Sequence, residues 1–171
     1  DFIARDSIGR VLQVATIQLD FNQPKSFGLF CINEQGEKEQ VVMIHAAIMG
    51  SIERFMSTLI EHYAGAFPLW LSPVQVAILP ISDKHSEYAR DVLGKLKASG
   101  IRAEIDDSRE SLGKKIRAAK TQKLPYLIVI GDKEMESQTV TLEGRNDEKH
   151  EGITFDATLI LLREKIDNKN N

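Results

Sequence analysis

Two residues with chemistry to offer share one stretch: His45 and Arg54 in Met43-Ile44-His45-Ala46-Ala47-Ile48-Met49-Gly50-Ser51-Ile52-Glu53-Arg54-Phe55. An imidazole ligates metals or moves protons near neutral pH, and a guanidinium stays charged and donates in a planar fork to phosphoryl oxygens. Taken alone, such a histidine is more often a hydrogen-bonded core group and such an arginine a helix charge. Adding Cys31, the single thiol, brings the possible metal ligands to two, short of a zinc site. Thr16, Gln18 and Asp20 alternate with Ile17, Leu19 and Phe21, so neutral hydrogen-bonding groups share one strand face. Such a face is either solvated or lines a cleft that orients a small ligand. Arg109, Lys114, Lys115, Arg117, Lys120 and Lys123 form the densest basic cluster. A solvated helix face is the commoner meaning of such a run; the alternative is a phosphate-contacting patch, with Glu134 as an acceptor for base edges. There is no Gly-rich phosphate loop, nucleophile elbow or metalloprotease helix motif.

The elements that must position these groups fall into two sets. Up to Ala64 the pattern is strand-rich and ends in a helix. Two strands surround the turn Asp6-Ser7-Ile8-Gly9-Arg10, the second running through Val11–Phe21. A hairpin pairs Phe27–Ile32 with Gln40–Ile44, and a helix from Gly50 carries the stripe Ile52, Phe55, Met56, Leu59, Ile60, Tyr63. Gly65-Ala66-Phe67-Pro68-Leu69-Trp70-Leu71-Ser72-Pro73 then breaks the pattern as an apolar, packed connector. Beyond it strands at Val74–Pro80, Ile101–Ile105, Tyr126–Ile130 and Val140–Leu142 alternate with helices at Ser82–Ser99 and Glu110–Gln122, which predicts parallel strands with crossover helices. Gly131-Asp132-Lys133 reads as a turn, Thr154 as the cap of a last helix, and Asp167-Asn168-Lys169-Asn170-Asn171 as a disordered tail. The expected fold is an α+β N-terminal piece of antiparallel strands and a helix, followed by an α/β domain with a mixed, mostly parallel sheet. The expected domains are residues 1–68 and 69–171.

At 171 residues the chain suits one ordinary domain or two small ones. Its net charge of −3 excludes indiscriminate binding of nucleic acid by the whole surface and leaves room for a local basic patch. No apolar run is long enough to span a membrane, so no membrane partner is expected. A single cysteine excludes an internal disulfide and fits a reducing compartment; the expected location is cytoplasmic. Asp1 at the start, with no signal-peptide layout after it, reads as a chain cut from something longer.

Gln13-Val14-Ala15-Thr16-Ile17-Gln18-Leu19-Asp20-Phe21 resembles a strand of the threonyl-tRNA synthetases. Met43-Ile44-His45 followed by Gly50-Ser51-Ile52-Glu53-Arg54-Phe55 resembles the segment of that family containing class II motif 3. Phe67–Val76, Gly113–Arg117 and Pro125–Glu134 are similar to its junction into, and segments of, the anticodon-binding domain, and the match is collinear over essentially the whole chain. The resemblance implies an enzyme that activates threonine with ATP and joins it to tRNA(Thr), Mg2+ accompanying the ATP. It also implies a parent homodimer. By position, Arg54 would be the catalytic arginine against the triphosphate; Gln13, Thr16 and Ser51 would contact ATP, and Gln18 the threonine. His45 would be one of three protein ligands of Zn2+, with the substrate amino group and hydroxyl completing the metal sphere. That arrangement rejects valine, which has no hydroxyl to coordinate. Arg117, Lys123 and Glu134 would meet the anticodon stem-loop.

The chain also departs from the family pattern. Leu12 and Val14-Ala15 stand where Trp and Cys-Gly are usual, Ala46 replaces the arginine after the zinc histidine, and Glu143 stands where an anticodon-contacting arginine is expected. Arg145 is close enough in sequence to stand in for it. The other zinc ligands, motifs 1 and 2 and any editing domain would lie upstream of Asp1, so the piece alone is expected to be inactive. The competing expectation is a non-catalytic RNA-binding accessory protein derived from such a C-terminal half. A third, another class II synthetase such as the prolyl or histidyl enzyme, is disfavoured by His45 in its motif context.

Overall fold

The computed structural model describes residues 1–6, 8–146 and 148–169, and divides into two compact units, Asp1–His62 and Tyr63–Asn171. Ser7, Asn170 and Asn171, within the expected first turn and tail, lie outside the described residues.

The first unit contains a three-stranded antiparallel sheet, β1 (Phe2–Arg5), β2 (Val11–Asp20) and β5 (Met43–Ile48), with β2 in the middle. The register of β1 on β2 slips between Phe2, opposite Ala15, and Ile3, opposite Gln13, so β2 carries one extra residue, Val14. Directly opposed residues share a face, so this bulge brings Gln13 round to the face of Thr16 and Gln18, where strict alternation would have put it on the other. After β2 a short helix, α1 (Gln23–Ser26), is missing from the sequence reading; Pro24 sits in its first turn, where a proline's lack of N–H costs nothing. The expected hairpin is smaller than predicted: β3 (Phe30–Ile32) pairs with β4 (Lys38–Gln40) in a sheet of its own, and Met43–Ile48 pairs with β2 instead. Helix α2 (Ile52–Tyr63) follows β5 through Met49 and Gly50, both at positive φ.

Pro24 is the one buried residue among those described in this unit. Ile17, Leu19 and Ile44, on the apolar face of β2 and β5, are each at least 55% exposed. All the exposed large apolar side chains except Ile81 and Ile160 belong to this unit. A contiguous apolar surface of this kind is how a protein presents an interaction site.

The second unit has the core that the first lacks. Its five-stranded sheet has the order β10 (Lys149–Thr154), β9 (Thr139–Gly144), β8 (Tyr126–Ile130), β6 (Val76–Pro80), β7 (Ala103–Ile105). β6, β7 and β8 are mutually parallel; β9 runs against β8, and β10 against β9. Four strands therefore share one direction and β9 opposes them. The exception to the predicted crossovers has a simple cause: α5 (Asp132–Ser137), which replaces the expected turn, is too short to carry the chain back along the sheet, so Gln138 at positive φ turns it into an antiparallel strand. The predicted Ser82–Ser99 helix starts as a 3₁₀ turn, Asp83–His85, before α3 (Ser86–Ala98).

Ala89, Val92 and Leu96 of α3 and Leu162 of α6 (Phe155–Asp167) pack on the sheet face of Ile78, Ile128 and Leu142. α4 (Leu112–Thr121) covers Ala77, Leu79 and Leu127 on the other. Thr154 caps α6 as expected, its hydroxyl accepting from Ala157 N at 3.3 Å. The predicted disorder is corrected at its start, since Asp167 is helical and Asn168 caps α6. The connector packs as predicted: Leu69 is in the core, and Arg102 donates to the carbonyls of Trp70 and Ser72.

Glu148, just before β10, gathers His150 at 2.9 Å, Lys165 at 2.7 Å and the Tyr126 hydroxyl at 3.0 Å. The bonds from His150, Lys165 and Tyr126 hold its carboxyl down at about 2 against desolvation. Because the folded value is below the ordinary 4.5, this contribution to stability is full above pH 4.5 and is lost as pH falls towards 2. Glu148→Gln is expected to lower the urea midpoint of the second unit at pH 7 and to converge on the parent near pH 2. A gap independent of pH would refute the linkage.

Candidate functional site

β2 and β5 build the site in the first unit. Gln18 is opposite His45, Thr16 opposite Ala47 and Asp20 opposite Met43, so Thr16, Gln18, Asp20 and His45 share a face, which Gln13 joins through the bulge. Gln18, Asp20 and His45 line an open cavity of about 640 Å³. Asp20 accepts from the backbone N–H of Gln23 at 3.0 Å and of Asn22 at 2.8 Å, and lies 3.0 Å from His45 Nε2. The Gln23 N–H, then His45 and the Asn22 N–H, hold its carboxyl below the usual range. A carboxylate only accepts, so Nε2 carries the proton it donates to Asp20. A carboxylate on one ring nitrogen is how metal-ligating histidines are commonly oriented. The donor set thus suits one metal ligand and no more; no group of three His, Cys, Asp or Glu able to hold a metal occurs among the described residues.

The turn after β5 sets the second group. A Cβ on Gly50, at φ +65°, would stand 3.1 Å from the Gln13 carbonyl, so this close approach to the bulge requires glycine. Ser51 then caps α2, its hydroxyl accepting from Arg54 N at 3.3 Å. Gln13 and Arg54 line a cavity of about 620 Å³ together with Arg5 and Arg10. Arg10 is paired with Asp6 at 2.6 Å and with Glu61, whereas Arg5 and Arg54 have no ion pair among the described residues. Two uncompensated guanidiniums suit a polyanion. Thr16 and Ser51 line neither cavity. Ala46 is opposite Ile17 on the face away from His45, so the cation missing there is not lost from beside the imidazole.

In the second unit the basic cluster resolves into separate roles. Lys115 is not on the surface: it is 4% exposed and donates to the carbonyls of Pro80 and Asp106. Lys114 pairs with Glu110 at 2.7 Å and Lys120 with Glu143 at 3.0 Å. Lys123, in the left-handed region past the end of α4, donates to the Ala64 carbonyl. Arg145 is committed to the carbonyls of Lys123 and Phe67, so it does not substitute for an arginine at 143. Arg117 is exposed and unpaired among the described residues, one turn from Lys120 on α4. Glu134 accepts from Gly131 N at 3.0 Å and the Thr141 hydroxyl at 2.8 Å; burial would raise its carboxyl, but these two bonds, its own backbone N–H and the nearby Lys133 charge together leave it lowered. Thr141 and Glu143 point to the α4 side of the sheet, opposite Val140 and Leu142, so Arg117 and Glu134 lie on the same side without touching. The sequence reading missed His85 and Asp132, whose pairing across 47 residues leaves no local signal.

An antiparallel sheet ending on a helix, ahead of a mixed α/β unit, is the layout of a class II aminoacyl-tRNA synthetase core passing into its anticodon-binding domain. Residues 1–63 match the class II tRNA synthetase core domain (G, H, P, S and T), and residues 75–165 the anticodon binding domain. The chain is 48% identical to a threonine–tRNA ligase of Sulfurihydrogenibium sp. (strain YO3AOP1) over 99% of its length and 26% of that protein's. It is 50% identical to a threonine–tRNA ligase catalytic subunit of Sulfurisphaera tokodaii over 99% and 31%. The crystal structure of the RNA binding domain of threonyl-tRNA synthetase from Cryptosporidium parvum Iowa II superposes with a TM-score of 0.83 at 35% identity, covering 95% of this chain and 41% of that one. Prolyl-tRNA synthetase from Cryptosporidium parvum gives 0.72 at 25% identity, covering 94% and 36%. The chain belongs to the threonyl-tRNA synthetase family, and spans between about a quarter and a third of the two ligases it is compared with.

Proposed function

We propose that this chain is the part of a threonine–tRNA ligase that carries motif 3, one zinc ligand and the anticodon-binding domain. Residues 1–68 belong to the catalytic domain in this reading, and residues 69–171 to the anticodon-binding domain. The observation that carries it is the single face of β2 and β5 on which Gln13, Thr16, Gln18 and His45 meet, with Arg54 and Gln13 lining one cavity beside the Gly50 turn. In the first step the threonine carboxylate attacks the α-phosphorus of ATP, with Mg2+ accompanying the nucleotide, and pyrophosphate leaves. Arg54 bears on the triphosphate as charge builds on the leaving oxygens, and Gln13, Thr16 and Ser51 hold the nucleotide. Gln18 orients threonine. His45, oriented by Asp20, would donate to Zn2+, which when bound offers coordination to the threonine amino group and hydroxyl. The tRNA then takes the threonyl group from the adenylate and AMP leaves, while Arg117, Lys123 and Glu134 hold the anticodon stem-loop. Lys123 must release the Ala64 carbonyl to do so.

The uncovered apolar face of the first unit supports the view that more polypeptide of a class II core, and the partner of a homodimer, pack around it in the working cytoplasmic enzyme. The 171-residue chain alone is therefore expected to show no threonine-dependent ATP–pyrophosphate exchange. Exchange is expected when the chain is joined to the remainder of a threonine-specific class II core. Robust exchange by the chain alone would overturn the division of labour. Absence of exchange in the joined protein, with hairpin binding retained, would favour the non-catalytic RNA-binding reading.

A further inference from the structure

In the second unit, four contacts join the loop after β6 to the end of β8 and the start of α5, one of them the Lys84 ammonium on Asp132 Oδ1 at 2.6 Å. His85 is 2% exposed, its Nδ1 accepting from Ser82 N at 3.2 Å and lying 3.1 Å from the Ser82 hydroxyl. A backbone N–H only donates, so Nδ1 is the acceptor and Nε2 carries the proton it gives to Asp132 Oδ1 at 3.0 Å. Asp132 opens α5, and Ile81 N donates to the Ile130 carbonyl at 3.0 Å just before it. A Cβ at Gly131 would meet Ile81 Cδ1 at 2.7 Å and Glu134 Oε2 at 3.2 Å, so the loop, Gly131 and the Glu134 carboxylate are closely packed. Glu134 follows Asp132 by two residues and is tied on its other side to Thr141.

We infer that the buried His85 and its acceptor Asp132 are positioning residues for Glu134, clamping the first turn of α5 so that its carboxylate meets the anticodon loop in one orientation. This rests on the reading that Glu134 contacts tRNA. A six-residue helix has little rigidity of its own, so its direction comes from such cross-ties. Each Glu134 oxygen accepts one bond from the protein and retains a further acceptor site for a base amino group.

The test is the affinity of the full chain for a threonine-tRNA anticodon hairpin. Asp132 is 58% exposed, so its replacement spares the core. Asp132→Ala is expected to weaken binding about three- to tenfold, although removing a negative charge and releasing the Lys84 ammonium would by themselves strengthen binding to RNA. Asp132→Asn keeps an oxygen for His85 Nε2–H and is expected to recover most of the loss. Combined with Glu134→Ala, Asp132→Ala is expected to add nothing further. Unchanged affinity in Asp132→Ala, an Asn variant as weak as the Ala variant, or additive losses would each overturn the clamp while Glu134 kept its role. No effect from Glu134→Ala itself would overturn the tRNA-contact reading and the clamp with it.

Discussion

Arg54→Ala, made in an enzyme containing this stretch joined to its catalytic core, is expected to lower threonine-dependent ATP–pyrophosphate exchange by about a hundred- to a thousandfold. Loss of one preorganised donor to a developing phosphoryl charge has that scale, and the loss belongs in kcat as well as in kcat/KM. The structure adds two reasons to expect the upper end. Arg54 has no carboxylate of its own among the described residues, so its charge is not shared with a structural ion pair. Arg10, by contrast, is held between Asp6 and Glu61 and is poorly placed to substitute. Arg54→Lys should recover only part of the activity, since an ammonium lacks the planar fork. A loss confined to KM for threonine would point to a role other than triphosphate stabilisation.

The largest loss of stability is expected from Ile128→Ala. Ile128 is fully buried in β8, with Ile78 opposite it on β6 and Leu142 opposite it on β9. Flanked by strands on both sides, the site cannot collapse inward, so the cavity term adds to the lost transfer energy and the total is about 3–4 kcal/mol. For a unit of this size that lowers Tm by roughly 12–25 °C. Ile160→Ala, on the exposed side of α6, should change Tm by no more than a few degrees. A comparable drop at both positions would mean that the core is not where the structure puts it.

Much of this was legible in the sequence because the second unit obeys local rules. Near-continuous apolar strands, amphipathic helices and the Thr154 cap each announce themselves over a few residues. Antiparallel β9 was not legible, because the reversal depends on how short α5 is, and a Gly-Asp-Lys sequence reads equally as a turn or as the start of a helix. The burial of Lys115 was hidden for a related reason. A lysine in a basic run looks solvated, and only the fold brings the Pro80 and Asp106 carbonyls to its ammonium. In the first unit, alternation correctly placed Thr16 and Gln18 together but said nothing of Gln13, which reaches their face through a one-residue bulge. The apolar side of the same strand, Ile17 and Leu19, is exposed, because a buried face needs a second layer and none covers it among the described residues. His45 gains meaning only from Asp20, twenty-five residues away in sequence.

Binding of the whole chain to the threonine-tRNA anticodon hairpin tests the central claim most directly. The hairpin is expected to bind more tightly than one with a changed anticodon. Arg117→Ala should weaken binding and lessen its dependence on salt, because it removes a phosphate contact. Glu134→Ala should instead erode the preference between hairpins, because it removes an acceptor for base edges. Equal affinity for both hairpins, unchanged by either substitution, would contradict the assignment of this chain to tRNA(Thr) recognition.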